Sequence, residues 1–255
     1  MTPGRRRKDK TEPPEPAGGV VEWCRKGAAA LGIALSEEQG RLFEEYYSLL
    51  LQGSKTANLT AVLEEKEAAL KHFVDSLACL LADPLEGGPR IVDVGAGAGL
   101  PGIPVKIMRP QTRLTLVDSS LKKVSFLEKA IRRLGLAGAA AVHGRAEELA
   151  HRAGLREEFD YALSRALAPL PVLIEYCLGF LRPGGFLIAL KGPAAAREER
   201  ASGNALSLLG GAIREVKEFT LPYLGHRRRL IVIEKVAPTP PGYPRRAGMP
   251  AKRPL

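Results

Sequence analysis

An apolar strand carrying one acid and running straight into a glycine-rich turn constrains this chain most: Ile91-Val-Asp-Val-Gly-Ala-Gly-Ala-Gly-Leu-Pro-Gly-Ile-Pro104. Glycines at such a junction let the backbone adopt positive φ and approach a small molecule, while the N–H groups of the helix that follows face it. The prolines at 101 and 104 fit a first helical turn, where a missing N–H costs little. Strand, turn and helix in this order open a parallel α/β unit. A nucleotide-like ligand is therefore expected at the carboxyl end of a parallel sheet.

Spacing narrows the ligand. Gly97-x-Gly99-x-x-Gly102 has the letters of the dinucleotide fingerprint, but there the first glycine follows the strand directly, and here Gly95 and Ala96 come first. Counted from the strand, the pattern is Asp93-x-Gly95-x-Gly97-x-Gly99, the form found in enzymes that bind S-adenosyl-L-methionine. That molecule lacks a pyrophosphate but carries a methionyl ammonium and carboxylate, so Asp93 at the strand end is expected to help orient the amine. A second strand, Arg113-Leu-Thr-Leu-Val117, ends at Asp118, about twenty residues after the glycines, where a carboxylate can accept ribose hydroxyl hydrogens. Capping of a helix beginning at Ser119 or Ser120 is the other role open to Asp118; its place behind a glycine loop favours ribose.

Around this unit the chain divides by composition. Residues 1–16 form a basic arm, Arg5-Arg-Arg-Lys-Asp-Lys10 among prolines, expected to be disordered. Residues 17–86 read as a helical cap, with Ser36-Glu-Glu-Gln39 as a capping box and Leu42, Phe43, Tyr46, Leu49 and Leu50 on one apolar face. A loop is expected around Gly53-Ser-Lys-Thr-Ala-Asn58, then a helix through Leu70, Phe73, Val74, Leu77 and Leu81, and Asp83-Pro-Leu-Glu-Gly-Gly-Pro89 as a linker. Residues 87–237 hold the S-adenosylmethionine-binding domain, with strands at 90–94, 113–117, 139–143, 159–164, 185–191, 213–220 and 229–235. The last two are joined by Leu221-Pro-Tyr-Leu-Gly-His226, too short for a helical crossover, and should pair as an antiparallel hairpin. The fold class is thus α/β: a class I S-adenosylmethionine-dependent methyltransferase, Rossmann-like, with a mostly parallel seven-stranded sheet, a C-terminal antiparallel hairpin and an N-terminal helical cap. Residues 238–255 form a basic, Pro-rich tail whose Arg245, Arg246, Lys252 and Arg253 are expected to track phosphates rather than to pack.

Charge points to the partner. The 38 Lys and Arg against 28 Asp and Glu leave a formal net charge of +10, which favours a polyanion such as RNA. Lys122, Lys123, Lys129, Arg132 and Arg133 share a helix whose apolar stripe is Val124, Leu127, Ile131 and Leu134, so they are either a solvated face or an RNA contact. Arg227-Arg228-Arg229 is equally open. Cysteines at 24, 79 and 177 have no paired spacing, which speaks against a disulfide framework or a Cys-based zinc site and for the cytoplasm; no metal is expected. No apolar run reaches about eighteen residues and the start is too polar for a signal peptide, so no membrane partner is expected.

Two more segments fall at strand ends. Gly144-Arg-Ala-Glu-Glu148 follows the third strand, where backbone at Ala146 and Glu147 can read an adenine edge, with Leu100 among the apolar neighbours closing the slot; its acids equally suit a helix N-terminus. Ser164-Arg165-Ala166 follows the fourth strand and sets Arg165 at the ligand crevice. The reaction is narrowed by what is missing. No Asp/Asn-Pro-Pro-aromatic segment of an exocyclic-amine methylase follows the fourth strand, and no Cys sits in a Pro-Cys loop as a nucleophile. Transfer to an atom that already owns a lone pair remains, and N7 of guanine is one; orientation could then carry the catalysis.

The segments Asp93-Val-Gly-Ala-Gly-Ala-Gly-Leu-Pro-Gly-Ile-Pro104, Leu116-Val-Asp-Ser119, Arg145-Ala-Glu147 and Ser164-Arg-Ala166 resemble the bacterial 16S ribosomal RNA guanine-N7 methyltransferases, the glucose-inhibited division protein B family. Asn58-Leu-Thr60, His72-Phe-Val-Asp-Ser-Leu77, Ala189-Leu-Lys-Gly192, Ile231-Val-Ile-Glu-Lys235 and Tyr243-Pro-Arg-Arg-Ala-Gly-Met-Pro-Ala-Lys-Arg-Pro254 are similar to further signatures of that family, so the resemblance runs from Val20 to Leu255. It implies methylation of the guanine at position 527 of 16S rRNA, as RNA or within the small ribosomal subunit, by direct in-line transfer without a covalent enzyme intermediate. It also implies contacts to S-adenosylmethionine from Gly95, Leu100, Asp118, Ser119, Ser120, Ala146, Glu147 and Arg165, to which the glycine pattern adds Asp93, Gly97 and Gly99. Asn58, Thr60, His72, Asp75, Ser76 and Lys191 would line the nucleotide side, although His72 and Asp75 also suit purely structural roles. A cytoplasmic monomer is expected. The sequence departs from the family in the arm before Val20 and in His226-Arg-Arg-Arg229, where an acid before the arginine is more usual. Two other functions remain open to such a chain: a nicotinamide-dependent oxidoreductase, and a noncatalytic RNA-binding adaptor on the same fold.

Overall fold

The structure, a computed structural model, describes residues 18–255; the basic arm at 1–16 lies outside the described residues. Five short apolar strands pair in parallel: β1 (Arg90–Val94), β2 (Arg113–Asp118), β3 (Ala139–His143), β4 (Phe159–Arg165) and β5 (Leu181–Lys191). The hairpin of β6 (Gly211–Leu221) and β7 (His226–Lys235) completes a seven-stranded sheet in the order β3-β2-β1-β4-β5-β7-β6, with β7 antiparallel to both its neighbours. Direction of winding reverses between β1 and β4. A crevice opens outside the carboxyl ends of strands at such a point.

Two strands begin three or more residues earlier than the sequence suggests. β5 includes Arg182-Pro-Gly-Gly185 because Phe159 pairs with Leu181 across an irregularity before Tyr161 meets Phe186, and a Pro-Gly-Gly run inside a strand reads as a turn. β7 takes in His226-Arg-Arg228, ahead of the start expected at Arg229, because the backbone there is paired to β6.

Period-two alternation builds two cores. Ile91, Leu116, Ile188 and Leu230 face the helical cap, whereas Val92, Val117, Leu187 and Ile231 face the opposite layer. The cap side contains α1 (Val20–Ala30), α2 (Glu37–Ala57), α6 (Gly102–Met108) and α7 (Leu121–Arg133). It also contains a compound helix: α3 (Glu65–Ala68), a π-helical turn Ala69–Val74, α4 (Asp75–Leu77) and α5 (Cys79–Ala82). The Ser36–Gln39 capping box forms, each side chain meeting the other's backbone N–H. Phe43, Tyr46 and Phe73 stack at the centre of this layer, continuous with the sheet's own apolar face. The opposite side holds α8 (Ala146–Leu149), α9 (Leu170–Leu178), α10 (Ala195–Arg200) and α11 (Gly203–Leu209).

The loop expected at 53–58 is not one: α2 continues through it and ends only at Asn58, whose φ of 47° turns the chain. Gly53 is there for space, since a Cβ would stand 2.6 Å from Cδ2 of Phe126 on α7.

The tail corrects the sequence more sharply. Tyr243 and Leu255 pack on the second core, and the chain closes in a short helix α12 (Met249–Lys252). Arg245 does not track phosphate: its backbone N–H, Nε and Nη2 all donate to Glu175 of α9, at 2.8, 2.9 and 2.6 Å, and the Glu175 side chain is fully buried. Pro and Gly spacing was compatible with an open tail, but a buried carboxylate on α9 demands a partner. Arg246, Lys252 and Arg253 stay exposed.

Candidate active site

The glycine turn is held from three directions. Gly95 and Ala96 donate to the carbonyl of Val117 at 2.9 and 3.0 Å, which ties the turn to the end of β2. Asp118 accepts from Gly97 N–H through one oxygen and from Ser120 N–H through the other, both at 2.9 Å. From the cap, the buried Tyr46 hydroxyl donates to the Ala98 carbonyl at 2.6 Å. Gly97 sits at φ +58° with only the Gly95 carbonyl, at 3.8 Å, near where a Cβ would go, and Gly95 at φ +74° has Leu167 within 2.5 Å of that position. Side chains at either place would fill the crevice or collide with its wall.

Two cavities meet at this turn, sharing Gly95, Lys123 and Ala166. One, of about 520 Å³, is lined by Asp118, Ser119, Ala146 and Glu147 and by Leu167, Pro169, Val172 and Tyr176. Asp118 spends two of about four acceptor positions on the turn, leaving the others for hydroxyl donors. The second, of about 510 Å³, runs past Gly97 and Leu100 to Thr60, His72, Asp75, Arg165 and Lys191. Lys71, Lys123, Arg165, Lys191 and Arg228 face only Asp75 and Glu198 there, a net positive lining that suits an anionic partner.

That charge is organised around Asp75. Its Oδ2 accepts from Nη1 of Arg165 at 3.2 Å and its Oδ1 from Nε of Arg228 at 2.9 Å, so one buried carboxylate aligns two guanidinium groups. Nη1 of Arg165 also reaches the Lys71 carbonyl at 2.6 Å, a carbonyl carried by the π-helical turn. Lys191 donates to the Ala168 carbonyl at 2.7 Å and pairs with Glu198 at 2.6 Å. His72 Nε2 lies 2.8 Å from the Thr60 hydroxyl, while its Nδ1 is buried without a partner. Burial, reinforced by Arg165, lowers the His72 pKa to about 4, so the imidazole is neutral near pH 7.

Several predicted residues stand behind the cavities rather than in them. Asp93 is fully buried and accepts from Gly102 N–H at 2.8 Å, so it braces the helix start instead of facing an amine; burial lifts its pKa to about 7. Ser76 is buried against the His72 carbonyl, and Gly99 and Ser120 support the turn. Asn58 is exposed and only redirects the chain toward Thr60. Glu147 does line the first cavity, but its side chain binds the tail, accepting from Gly248 N–H at 2.8 Å. Lys71, Tyr46, Glu198 and the tail residues Ala251 and Pro254 were missed, and Lys123 and Arg228 were left undecided. For Arg228 a signal existed: extended by three residues, the last strand places it on the same face as Leu230, toward the cap.

A model of the GidB family, described as rRNA small subunit methyltransferase G, matches residues 39–231. The chain belongs to this family. A ribosomal RNA small subunit methyltransferase G from Pelotomaculum thermopropionicum is 49% identical over 92% of this chain and 99% of its own length, and one from Desulforamulus reducens is 45% identical over 91% and 96%. As a GidB member the protein is a methyltransferase, which removes the oxidoreductase and adaptor readings. A crystal structure of a SAM dependent methyltransferase from Aquifex aeolicus shares the class I fold, at a TM-score of 0.50 and 19% identity over 66% of this chain and 93% of that one.

Proposed function

We propose that the protein transfers the methyl group of S-adenosylmethionine to N7 of a guanine in 16S rRNA, position 527 by family resemblance, acting as a cytoplasmic monomer on the RNA or on the small ribosomal subunit. The observation that carries this reading is the pair of cavities meeting at Gly95, one with a carboxylate and an apolar slot, the other net positive. Asp118 fits a ribose, the Ala146–Glu147 backbone and Leu167 fit an adenine, and the second cavity is left for the methionyl end and the acceptor nucleotide. When bound, S-adenosylmethionine supplies an electrophilic methyl group on a sulfonium.

The chain's own part is orientation. Guanine N7 presents its lone pair without deprotonation, so no residue has to act as a strong base, and a neutral His72 is consistent with that. The Asp75-aligned Arg165 and Arg228 would receive phosphate or base oxygens and hold the acceptor in line. Exposed Arg246, Lys252 and Arg253 remain available for RNA backbone.

Incubation of the protein with small-subunit RNA or subunits lacking the mark, S-adenosylmethionine and subsequent mapping of 7-methylguanosine by chemical cleavage tests the reading. One new N7-methylguanine at position 527 is expected. Transfer to another atom or position, or none to either substrate, would overturn it.

A further inference from the structure

The C-terminal tail meets the adenosine-side cavity at two points that the sequence did not assign. Ala251 of α12 and Pro254 line it together with Val172 and Tyr176 of α9. Three ties hold them there. Glu175, next to Tyr176 on α9, takes three hydrogen bonds from Arg245, and the Nη2 of that same guanidinium also donates to the Arg253 carbonyl at 2.8 Å, closing the loop 245–253 on itself. Gly248 N–H, at the start of α12, donates to Glu147, which also lines the cavity. One short segment is thus tied to both α8 and α9.

We propose that this tail is a structural part of the cofactor site: Ala251 and Pro254 form the outer wall of the adenosine half, and Glu175 and Arg245 are positioning residues that hold the wall. The proposal rests on the cofactor reading above. Its reach is limited to one end of the ligand, because tail residues border the adenosine-side cavity and none borders the cavity past Gly97. A buried carboxylate is costly without its cation, so Glu175 strongly favours the closed tail, and a wall fixed in advance spares the ligand the entropy of ordering it.

Calorimetric titration of the full chain with S-adenosylhomocysteine and with 5′-methylthioadenosine, which lacks the amino-acid end, tests it. Arg245→Ala is expected to raise both dissociation constants about tenfold, by the same factor for each ligand, since the lost contacts lie only on the shared adenosine half. A variant ending at Gly248 keeps the Arg245–Glu175 tie and the Glu147 contact but removes the wall; loss of the Leu255 packing should lower its unliganded melting temperature, and titrated well below that temperature it should show the same equal loss. It decides the matter if Arg245→Ala does not fold. Unchanged binding of both ligands in a folded variant, or a loss confined to S-adenosylhomocysteine, would overturn the wall. Failure of the wild-type chain to bind either ligand would instead overturn the cofactor reading.

Discussion

The two cavities at the glycine turn are built by opposite means. The adenosine-side cavity is framed largely by backbone turns at consecutive strand ends, Gly95, Asp118–Ser119 and Gly144–Glu147, each adjacent in sequence to the strand that places it. The cationic cavity is gathered from the cap, the β4 and β5 ends and the last hairpin, with Asp75 and Arg228 separated by 153 residues yet in contact. Local geometry can specify the strand-end turns of the first, though not its tail wall. The second exists only once the cap has docked, so it can be dismantled without harming the first.

The sharpest break is Gly97→Val. A branched side chain at φ +58° both strains the turn and fills the space beside it, so S-adenosylhomocysteine binding should fall at least about a hundredfold by calorimetry. Normal binding in a folded variant would remove the glycine turn from the site. Next is Asp118→Ala, which takes partners from Gly97 and Ser120 as well as from a ribose. Loss of charge-assisted hydrogen bonds of about 1.5–3 kcal/mol predicts ten- to hundredfold weaker binding of both S-adenosylhomocysteine and 5′-methylthioadenosine.

Asp75→Asn probes the other cavity. Releasing Arg165 and Arg228 should slow methyl transfer to RNA about tenfold in single-turnover assays, while affinity for 5′-methylthioadenosine, which lacks the end that enters this cavity, stays within about threefold. A parallel loss of 5′-methylthioadenosine affinity would mean that the two cavities are not separable.

The smallest effect is on stability against pH. Burial raises the Asp93 pKa from 3.8 to about 7, so its contribution is fully present below the unfolded value and is lost as pH rises through about 7. His72 runs the other way: lowered from 6.5 to about 4, it contributes fully above the unfolded value and its contribution is lost as pH falls toward about 4. Asp93→Asn stays neutral and can still accept from Gly102. Its melting temperature should therefore gain on the wild type by a few degrees between pH 5 and pH 8, and a constant difference across that range would show that Asp93 does not titrate there.

The sequence by itself determined the sheet, the glycine turn, the Asp118 position and the antiparallel hairpin, because each is written in contacts between neighbours in the chain: alternation along a strand, positive φ at a turn, a connection too short to cross over. It also carried the family, through motifs spread from Asn58 to the tail. What tertiary structure decided was which charges are paired. Arg245 and Arg246 are adjacent and chemically alike, yet one is held by a buried glutamate on α9 and the other faces solvent. Asp93 and Asp118 both end strands beside the same turn, yet one is sealed behind it and the other opens on a cavity. Burial and partner choice depend on what packs above a residue from elsewhere in the chain, and no local pattern encodes that.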